Sequence, residues 1–230
     1  MNNLISKLFT IYFCIFLFAD SYGQIKELHV PDSDSNFYPE YQKNIAQIKL
    51  PNLTKSKDSL HFRFSTYTQI IDIWTKDYKV FYGTFSNFTT SFTPDGWKRK
   101  KRKREAFYSD KSNLDTSIAR QVFDIFNTLS ILTIPTEDSI KDWMLDREYI
   151  KDGELYVIEY SSPTFYFFRT YFCPDLFKDK IKEAAKIDSL INFFKTAFQM
   201  KDSFKKFINT LPNGCYHAGS YHMLCRNEEY

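Results

Sequence analysis

Glycine is scarce in this chain, and its scarcity excludes several classes of enzyme. Only six glycines occur among 230 residues. No two of them are spaced as G-x-G-x-x-G or G-x-x-x-x-G-K-[ST], the patterns whose backbone amides approach phosphates. The H-E-x-x-H pattern of zinc hydrolases and the G-x-S-x-G turn of serine hydrolases are also missing. We therefore expect neither nucleotide-dependent chemistry nor a bound cofactor.

Histidine is rarer still, with four in the chain, so any histidine-based catalytic group must use one of these. A serine–histidine–aspartate triad has no fixed order along a sequence. Its general base would have to be His29, His61, His217 or His222.

Long apolar runs are missing after the N-terminus. Lys7 precedes an apolar run over residues 8–19, and Ser21 and Gly23 supply the small residues of a cleavage site before Gln24. This pattern predicts a secretory signal peptide over residues 1–23. The alternative is an uncleaved anchor, but the run is shorter than the roughly 18–20 residues that cross a bilayer. We expect a secreted or periplasmic protein with no transmembrane span after leader removal.

Cysteine is sparse, with four residues, and Cys14 lies in the predicted leader. Cys173, Cys215 and Cys225 remain, and an oxidising compartment favours disulfide formation. Cys215 with Cys225 closes a short loop and is the simplest pair. A bridge from Cys173 to either of the others is the alternative.

The same C-terminal stretch contains two histidines, in the spacing C-x-H-x4-H-x2-C. Cys215, His217, His222 and Cys225 are residue types that bind zinc. However, a zinc finger has two cysteines separated by two to four residues, followed by two histidines separated by three to five. The order and spacing in this stretch are different. A disulfide loop is the favoured interpretation, and a zinc-binding module is the alternative.

The most prominent positive feature is a run of seven basic residues. Without it, the formal net charge of +3 becomes −4, so the chain is mildly acidic apart from one concentrated basic segment. Such a segment attracts anions and speeds encounter with an acidic partner, although blocks of like charge are often only solvated loops. Trp97 precedes the run, and the predicted binding residues are Trp97, Lys98, Arg99, Lys100, Lys101, Arg102, Lys103 and Arg104.

Alternating and helical patterns predict an α+β fold after an extended N-terminal arm over residues 24–58. The patterns predict one hairpin over 60–90, a helix over 114–129, a second hairpin formed by GELYVIEY and FYFFRTYF, and helices from residue 177 onward. In the first hairpin, the apolar phase shifts between Ile70 and Ile71, which a bulge would explain. We expect two antiparallel hairpins in one sheet, helices on one face, a domain over 59–212, and a Cys/His loop and tail over 213–230.

Two acidic residues lie in the middle of predicted strands. Asp72 and Glu159 are the catalytic candidates, because paired carboxylates facing one cleft can hydrolyse glycosidic bonds. The competing interpretation is that both carboxylates point to solvent on the polar face of the sheet, or that one forms a cross-strand ion pair with Arg63 or Arg169, which are also mid-strand.

Aromatic residues make up 19% of the chain, including 24 Phe and 16 Tyr. They supply a large core, and tyrosine also suits binding surfaces. Together with the missing catalytic motifs, this composition predicts a non-catalytic exported binding protein, such as an inhibitor, an immunity-type protein or a cell-surface accessory factor. Its partner would be a protein or an anionic envelope component. The alternatives are a small envelope-polymer hydrolase using Asp72 and Glu159, and the zinc-binding module.

Overall fold

The computed structural model describes residues 26–92, 105–143, 153–219 and 222–226. The predicted signal peptide, Trp97 and the basic run lie outside these ranges. The strands are β1 Glu27–His29, β2 Leu60–Ser65, β3 Gln69–Thr75, β4 Tyr82–Phe92, β5 Phe107–Asn113, β6 Leu155–Ser161, β7 Phe165–Phe172, β8 Gly214–His217 and β9 Met223–Arg226. The α-helices are α1 Phe37–Gln47, α2 Thr116–Thr128, α3 Pro174–Phe177, α4 Lys182–Ala197 and α5 Met200–Thr210.

All nine strands belong to one sheet, in the order β1-β7-β6-β2-β3-β4-β8-β9, with β5 paired to β4. Every pairing is antiparallel except that of β1 with β7. The fold class α+β is therefore confirmed, but the two-hairpin description is too simple. Residues 60–90 form the meander β2–β3–β4, because a tight turn in which Thr66 N donates to Gln69 O separates β2 from β3.

Several predicted elements lie where the sequence placed them. The second hairpin is β6 with β7. The helix predicted over 114–129 is α2, which begins after Asp115, whose side chain accepts a hydrogen bond from Ser117 N. The periodic apolar residues after Phe177 form α4, which buries Ile187, Ile191 and other apolar residues against the sheet.

The sheet is covered on both faces, which corrects the prediction that helices cover only one. On one face, α2 and α4 pack with the sheet around Phe62, Phe64 and Phe126 to form the main core. On the other face, α1 packs on Ile70, Val157 and other residues in a second core. A strand between two packed layers is apolar on both sides. The predicted bulge at Ile70 and Ile71 does not occur, because β3 pairs in continuous register through both residues. The apolar phase shifts there because Ile70 is buried on one face of the sheet and Ile71 on the other.

Helix α1 lies in the segment that the sequence analysis described as extended. Tyr41 and Ile45 are spaced by four residues, so both fall on one helix face, and both are buried. Pro39 lies in the first turn of α1, where the backbone N–H that proline lacks would have no helical partner. Pro31, Pro39 and Pro51 are a local signal for extended chain in this arm, but the burial of one helical face against the sheet outweighs that signal.

Within the described ranges, no helix combines the length and apolar character that crossing a membrane requires.

Candidate functional site

The candidate site is a row of charged side chains on the α1 face of the sheet. Register places Arg63 of β2 directly opposite Asp72 of β3 on one side and Glu159 of β6 on the other. Arg63 Nε lies 2.7 Å from Asp72 Oδ1, and Arg63 Nη1 lies 2.9 Å from Glu159 Oε2. All three side chains are buried. The structure therefore brings both predicted catalytic carboxylates onto one arginine.

The N-terminal arm completes the row. Tyr41 donates a 2.7 Å hydrogen bond to Glu159 Oε2, and Gln42 Nε2 donates to Glu159 Oε1 at 3.2 Å. From β7, the Tyr166 hydroxyl also donates to Glu159 Oε1, at 2.7 Å. Arg63 Nη2 donates to the carbonyl oxygen of Pro51 in the arm at 2.8 Å. The buried charges thus have the hydrogen-bond partners that charges in a protein interior require.

A histidine extends the row toward the end of the arm. His61 Nδ1 lies 3.0 Å from Asp58 Oδ2, and His61 Nε2 lies 3.2 Å from Asp72 Oδ2. Its ring packs beside Trp74, with the ring centroids 5.7 Å apart. His61 Nδ1 is therefore hydrogen-bonded to Asp58, whereas His61 Nε2 lies near Asp72 without hydrogen-bond geometry.

The pKa values in the row favour the charged forms of Asp72 and Arg63 and the neutral form of Tyr41. Burial by itself would raise the pKa of Asp72, but the charges of Arg63 and His61 lower it to about 2. Burial also opposes the charge of Arg63, but the neighbouring Asp72 and Glu159 raise the pKa of this arginine above its ordinary value. The pKa of Tyr41 is raised well above its ordinary value by burial and then by Glu159. The row therefore contains an ionised aspartate, a permanent arginine cation and a neutral tyrosine.

This geometry matches the ion-pair interpretation of Asp72 and Glu159 more closely than the catalytic one. Three of the four carboxylate oxygens accept hydrogen bonds from Arg63, Tyr41, Gln42 or Tyr166, and the fourth, Asp72 Oδ2, lies 3.2 Å from His61 Nε2. A general acid also needs a raised pKa, whereas that of Asp72 is lowered. Arg169, the other arginine considered as a partner, donates to the carbonyl oxygen of Leu132 and lies 3.9 Å from the centroid of the Phe167 ring.

The C-terminal Cys/His segment forms a small hairpin. Cys215 of β8 and Cys225 of β9 are directly opposite, and their sulfur atoms are bonded to each other. The backbone carbonyl of His217 accepts a hydrogen bond from Thr89 Oγ1, and its ring packs edge-on against Phe92. Sulfur atoms bonded to each other are not thiolates, the form in which cysteine binds zinc. Among the described residues, no group of three metal-binding side chains converges.

Cys173 is the free cysteine of the described chain. It is buried between β7 and α3. Burial raises the pKa of its thiol, which makes it an inert apolar side chain and not a nucleophile.

The flanks of the basic run are described although the run itself is not. Strands β4 and β5 pair up to Thr90 and Phe107, and Ser91 N donates to the carbonyl oxygen of Ala106 at 2.8 Å. Strand β4 then continues beside β8 through Ser91 and Phe92. The described residues on either side of the basic run therefore belong to the sheet or are hydrogen-bonded to it.

Sequence reasoning missed the places of His61 and Asp58 beside this row and the hydrogen bond from Tyr41 to Glu159. The pattern His61–Arg63–Ser65 gives β2 one polar face, and the alternation by itself does not distinguish a solvent-exposed face from a covered one. The sequence did contain a signal, because Phe37, Tyr41 and Ile45 repeat at helical spacing. A helix with an apolar stripe in the arm would have to cover some surface, and the polar face of the sheet is the one it covers.

Comparisons with known proteins give no match for this chain. No protein-family model matches it, and neither the curated proteins nor the solved structures include one that is significantly similar. Its function is therefore inferred from its own residues and their arrangement.

Proposed function

We propose that this chain is an exported, non-catalytic binding protein whose basic run contacts an anionic lipid surface of the cell envelope. The observation that carries the proposal is the run of seven basic residues between two strands, β4 and β5, that pair with each other. The described residues on either side of the run lie on paired strands, with Ser91 N donating to the carbonyl oxygen of Ala106 where the pairing of β4 with β5 ends. The seven basic residues are consecutive in the sequence, so their charges act together on an anionic partner.

Apolar exposure near the same edge supports a lipid surface as the partner. Leu224 is paired with Tyr216, and Tyr216 with Ser91 of β4, so β9 lies two strands from the start of the segment. Met223 and Leu224 are 49% and 41% exposed. Clustered basic residues gain about 1 kcal/mol each near an anionic bilayer surface, and nearby apolar side chains add burial at its boundary.

The buried charge row supports the non-catalytic part of the proposal. Asp72 and Glu159 have their oxygens occupied by Arg63, His61 and arm residues. The disulfide between Cys215 and Cys225 supports export, because such bonds persist mainly in oxidising compartments. Export itself is tested by the intact mass of the protein recovered outside the cytoplasm, which should start at Gln24.

The test of the lipid contact is sedimentation with vesicles of phosphatidylcholine alone or mixed with phosphatidylglycerol. The first variant replaces the seven residues 98–104 by Gln. A matched control also removes seven charges, by changing exposed lysines elsewhere to Gln: Lys55, Lys57, Lys76, Lys79, Lys182, Lys201 and Lys205. We expect wild type and the control to bind the anionic vesicles, less so as salt rises, and the 98–104 variant to lose binding.

Two results would contradict the proposal. Equal loss in both variants would show that net charge, and not the run, governs adsorption. Failure of the wild type to bind anionic vesicles at low salt would exclude the lipid surface, and capture of an acidic protein through the run would then replace it.

A further inference from the structure

Strand β5 forms an open edge of the sheet. It spans seven residues, Phe107–Asn113, and pairs along one side with β4. Among the strands that the structure describes, none pairs with its other side. From Ser109 to Asn113 every residue is exposed, whichever face of the sheet its side chain lies on. The outer side of β5 is therefore open to another strand.

The backbone groups on this outer side follow from the pairing with β4. Ser91 N donates to the carbonyl oxygen of Ala106, and Leu114 N donates to that of Gly83. In an antiparallel pair, alternate residues exchange backbone hydrogen bonds with the neighbouring strand, so the even-numbered residues of β5 bond to β4. Those whose N–H and C=O groups point away from β4 are Phe107, Ser109, Lys111 and Asn113. Within the described ranges, no backbone group pairs with them.

Exposed edge strands commonly contain a feature that prevents a second strand from pairing with them, such as a proline, a bulge, a very short length or a charge. Strand β5 has no proline and pairs with β4 in continuous register. Its two charged residues, Asp110 and Lys111, are opposite in sign. The edge strands β1 and β9 are shorter, with three and four residues. Strand β5 is therefore the described edge best suited to pair with another strand.

The charges of β5 select how it can pair with a second copy of itself. Two copies related by a two-fold axis pair antiparallel, with one residue facing its own copy across the axis. An axis at Asp110 or Lys111 would place like charges opposite each other, which is destabilising. An axis at Ser109 avoids this.

The register about Ser109 brings compatible side chains together. On one face of the sheet it places Tyr108 opposite Asp110. On the other face it places Phe107 opposite Lys111, an aromatic ring beside a cation. Among the symmetric registers without opposed like charges, it also gives the longest ladder within β5, with about six backbone hydrogen bonds.

We propose that β5 is the interface of a homodimer, in which two copies pair antiparallel about Ser109 and join their sheets edge to edge. The partner is a second copy because the residues of β5 complement themselves in this register. The ladder gives partners to the outward N–H and C=O groups, which otherwise bond to water. A contact of this size is small, so the dimer is reversible at micromolar concentrations. The inference goes beyond the lipid contact and does not rest on it.

The first test is sedimentation velocity of the purified protein over about 1–200 µM, a range that suits a small interface. We expect the wild type to change from monomer to dimer as its concentration rises. The variant Ser109→Pro removes the central outward N–H and leaves the N–H groups that face β4. It should therefore fold and dimerise at least about tenfold more weakly. The control Ser109→Ala keeps this N–H and should dimerise like wild type.

Two results of sedimentation would overturn the proposal. One is a wild type that stays monomeric over the whole range. The other is a folded Ser109→Pro variant that dimerises as tightly as wild type, because the contact would then lie elsewhere on the molecule.

The second test locates the contact without a proline. Residues that form a hydrogen-bonded antiparallel pair have Cα atoms about 5.5 Å apart, a separation that a disulfide can span. The variant Ser109→Cys should therefore crosslink to its own copy under mild oxidation. The control Ser112→Cys is also exposed on β5, but its two copies lie about 20 Å apart in this register and should not crosslink. Equal crosslinking of both variants, or none of Ser109→Cys, would overturn the pairing about Ser109.

Discussion

The Tyr41 hydroxyl donates a 2.7 Å hydrogen bond to Glu159 Oε2, joining residues that are 118 positions apart in the chain. Tyr41 belongs to α1 in the arm, and Glu159 to β6 in the sheet. This bond converts a polar sheet face into an interior, because the arm supplies both the apolar cover and the hydrogen bonds that the buried charges need. The predictions on the charge row depend on this relationship.

The Arg63→Met change should destabilise the fold strongly. It removes the cation between Asp72 and Glu159 and leaves two buried carboxylates without it. We expect a loss of about 3–5 kcal/mol in the free energy of unfolding, measured by urea denaturation. Adding Asp72→Asn and Glu159→Gln should recover much of that loss, since no uncompensated charge remains. A single-variant loss below about 1 kcal/mol, typical of surface ion pairs, would contradict the account.

The Tyr41→Phe change tests the link between arm and sheet. Only the hydroxyl is lost, with its bond to Glu159 and its 3.0 Å contact with Ser65 Oγ. We expect a loss of about 1.5–3 kcal/mol in thermal or urea unfolding, because the acceptor is charged and buried. The control is Tyr38→Phe, whose hydroxyl lies 3.3 Å from that of Tyr166. Its effect should stay within about 1 kcal/mol, and equal losses in the two variants would argue against a special role for Tyr41.

Acid should destabilise the protein through Asp72. The pKa of this carboxyl is about 2 in the folded protein, below its ordinary value of 3.8. The stabilisation is therefore fully present above about pH 4 and is lost as pH falls toward about 2. Its size is about 2–3 kcal/mol. Unfolding free energies measured across this range should show the decline.

The Asp72→Asn variant should remove that part of the pH dependence. The control is Asp124→Asn, which breaks an exposed ion pair with Arg120 and should leave the curve within about 0.5 kcal/mol of wild type. If the free energy of unfolding of the Asp72→Asn variant falls between about pH 4 and about pH 2 as much as that of wild type, Asp72 is not the group responsible.

Loss of the disulfide should weaken the C-terminal hairpin. Cys215 and Cys225 are ten positions apart, and closing a loop of that size stabilises by about 2–3 kcal/mol. We expect this loss in the double variant Cys215→Ser and Cys225→Ser, measured by urea unfolding. A reducing agent should destabilise wild type equally and leave the double variant unchanged.

Alkylation of the denatured wild type, followed by intact mass, checks the same bond directly. One modified cysteine in the mature chain, Cys173, is the expected result. Three modified cysteines without prior reduction would exclude the bond and return the zinc interpretation of Cys215, His217, His222 and Cys225.

The elements that the sequence predicted well are those with strong local signals. The β6–β7 hairpin contains two runs of β-branched and aromatic residues around a serine–proline turn, and α2 has a capping Asp115 before a clean apolar stripe. The arm helix was missed because its prolines are a local signal against structure, whereas its stability comes from burial of Tyr41 and Ile45 against a distant sheet.

The charge row was only half predictable, for a related reason. Alternation along β2 put Arg63 on the polar face with Asp72 and Glu159 as possible cross-strand partners, and that pairing is what the structure contains. Whether that face met water or protein depended on residues more than ten positions earlier. No local pattern in β2 could specify the arm that covers it.

By itself, the sequence determined the α+β class, the second hairpin, α2 and the concentration of positive charge, because each depends on neighbours a few positions apart. The tertiary structure alone decided that Arg63, Asp72 and Glu159 are buried and that Tyr41 and Asp58 complete their environment. Burial and pairing across the sheet join residues separated by 9 to 118 positions, and the energy of such contacts depends on where the whole chain places them.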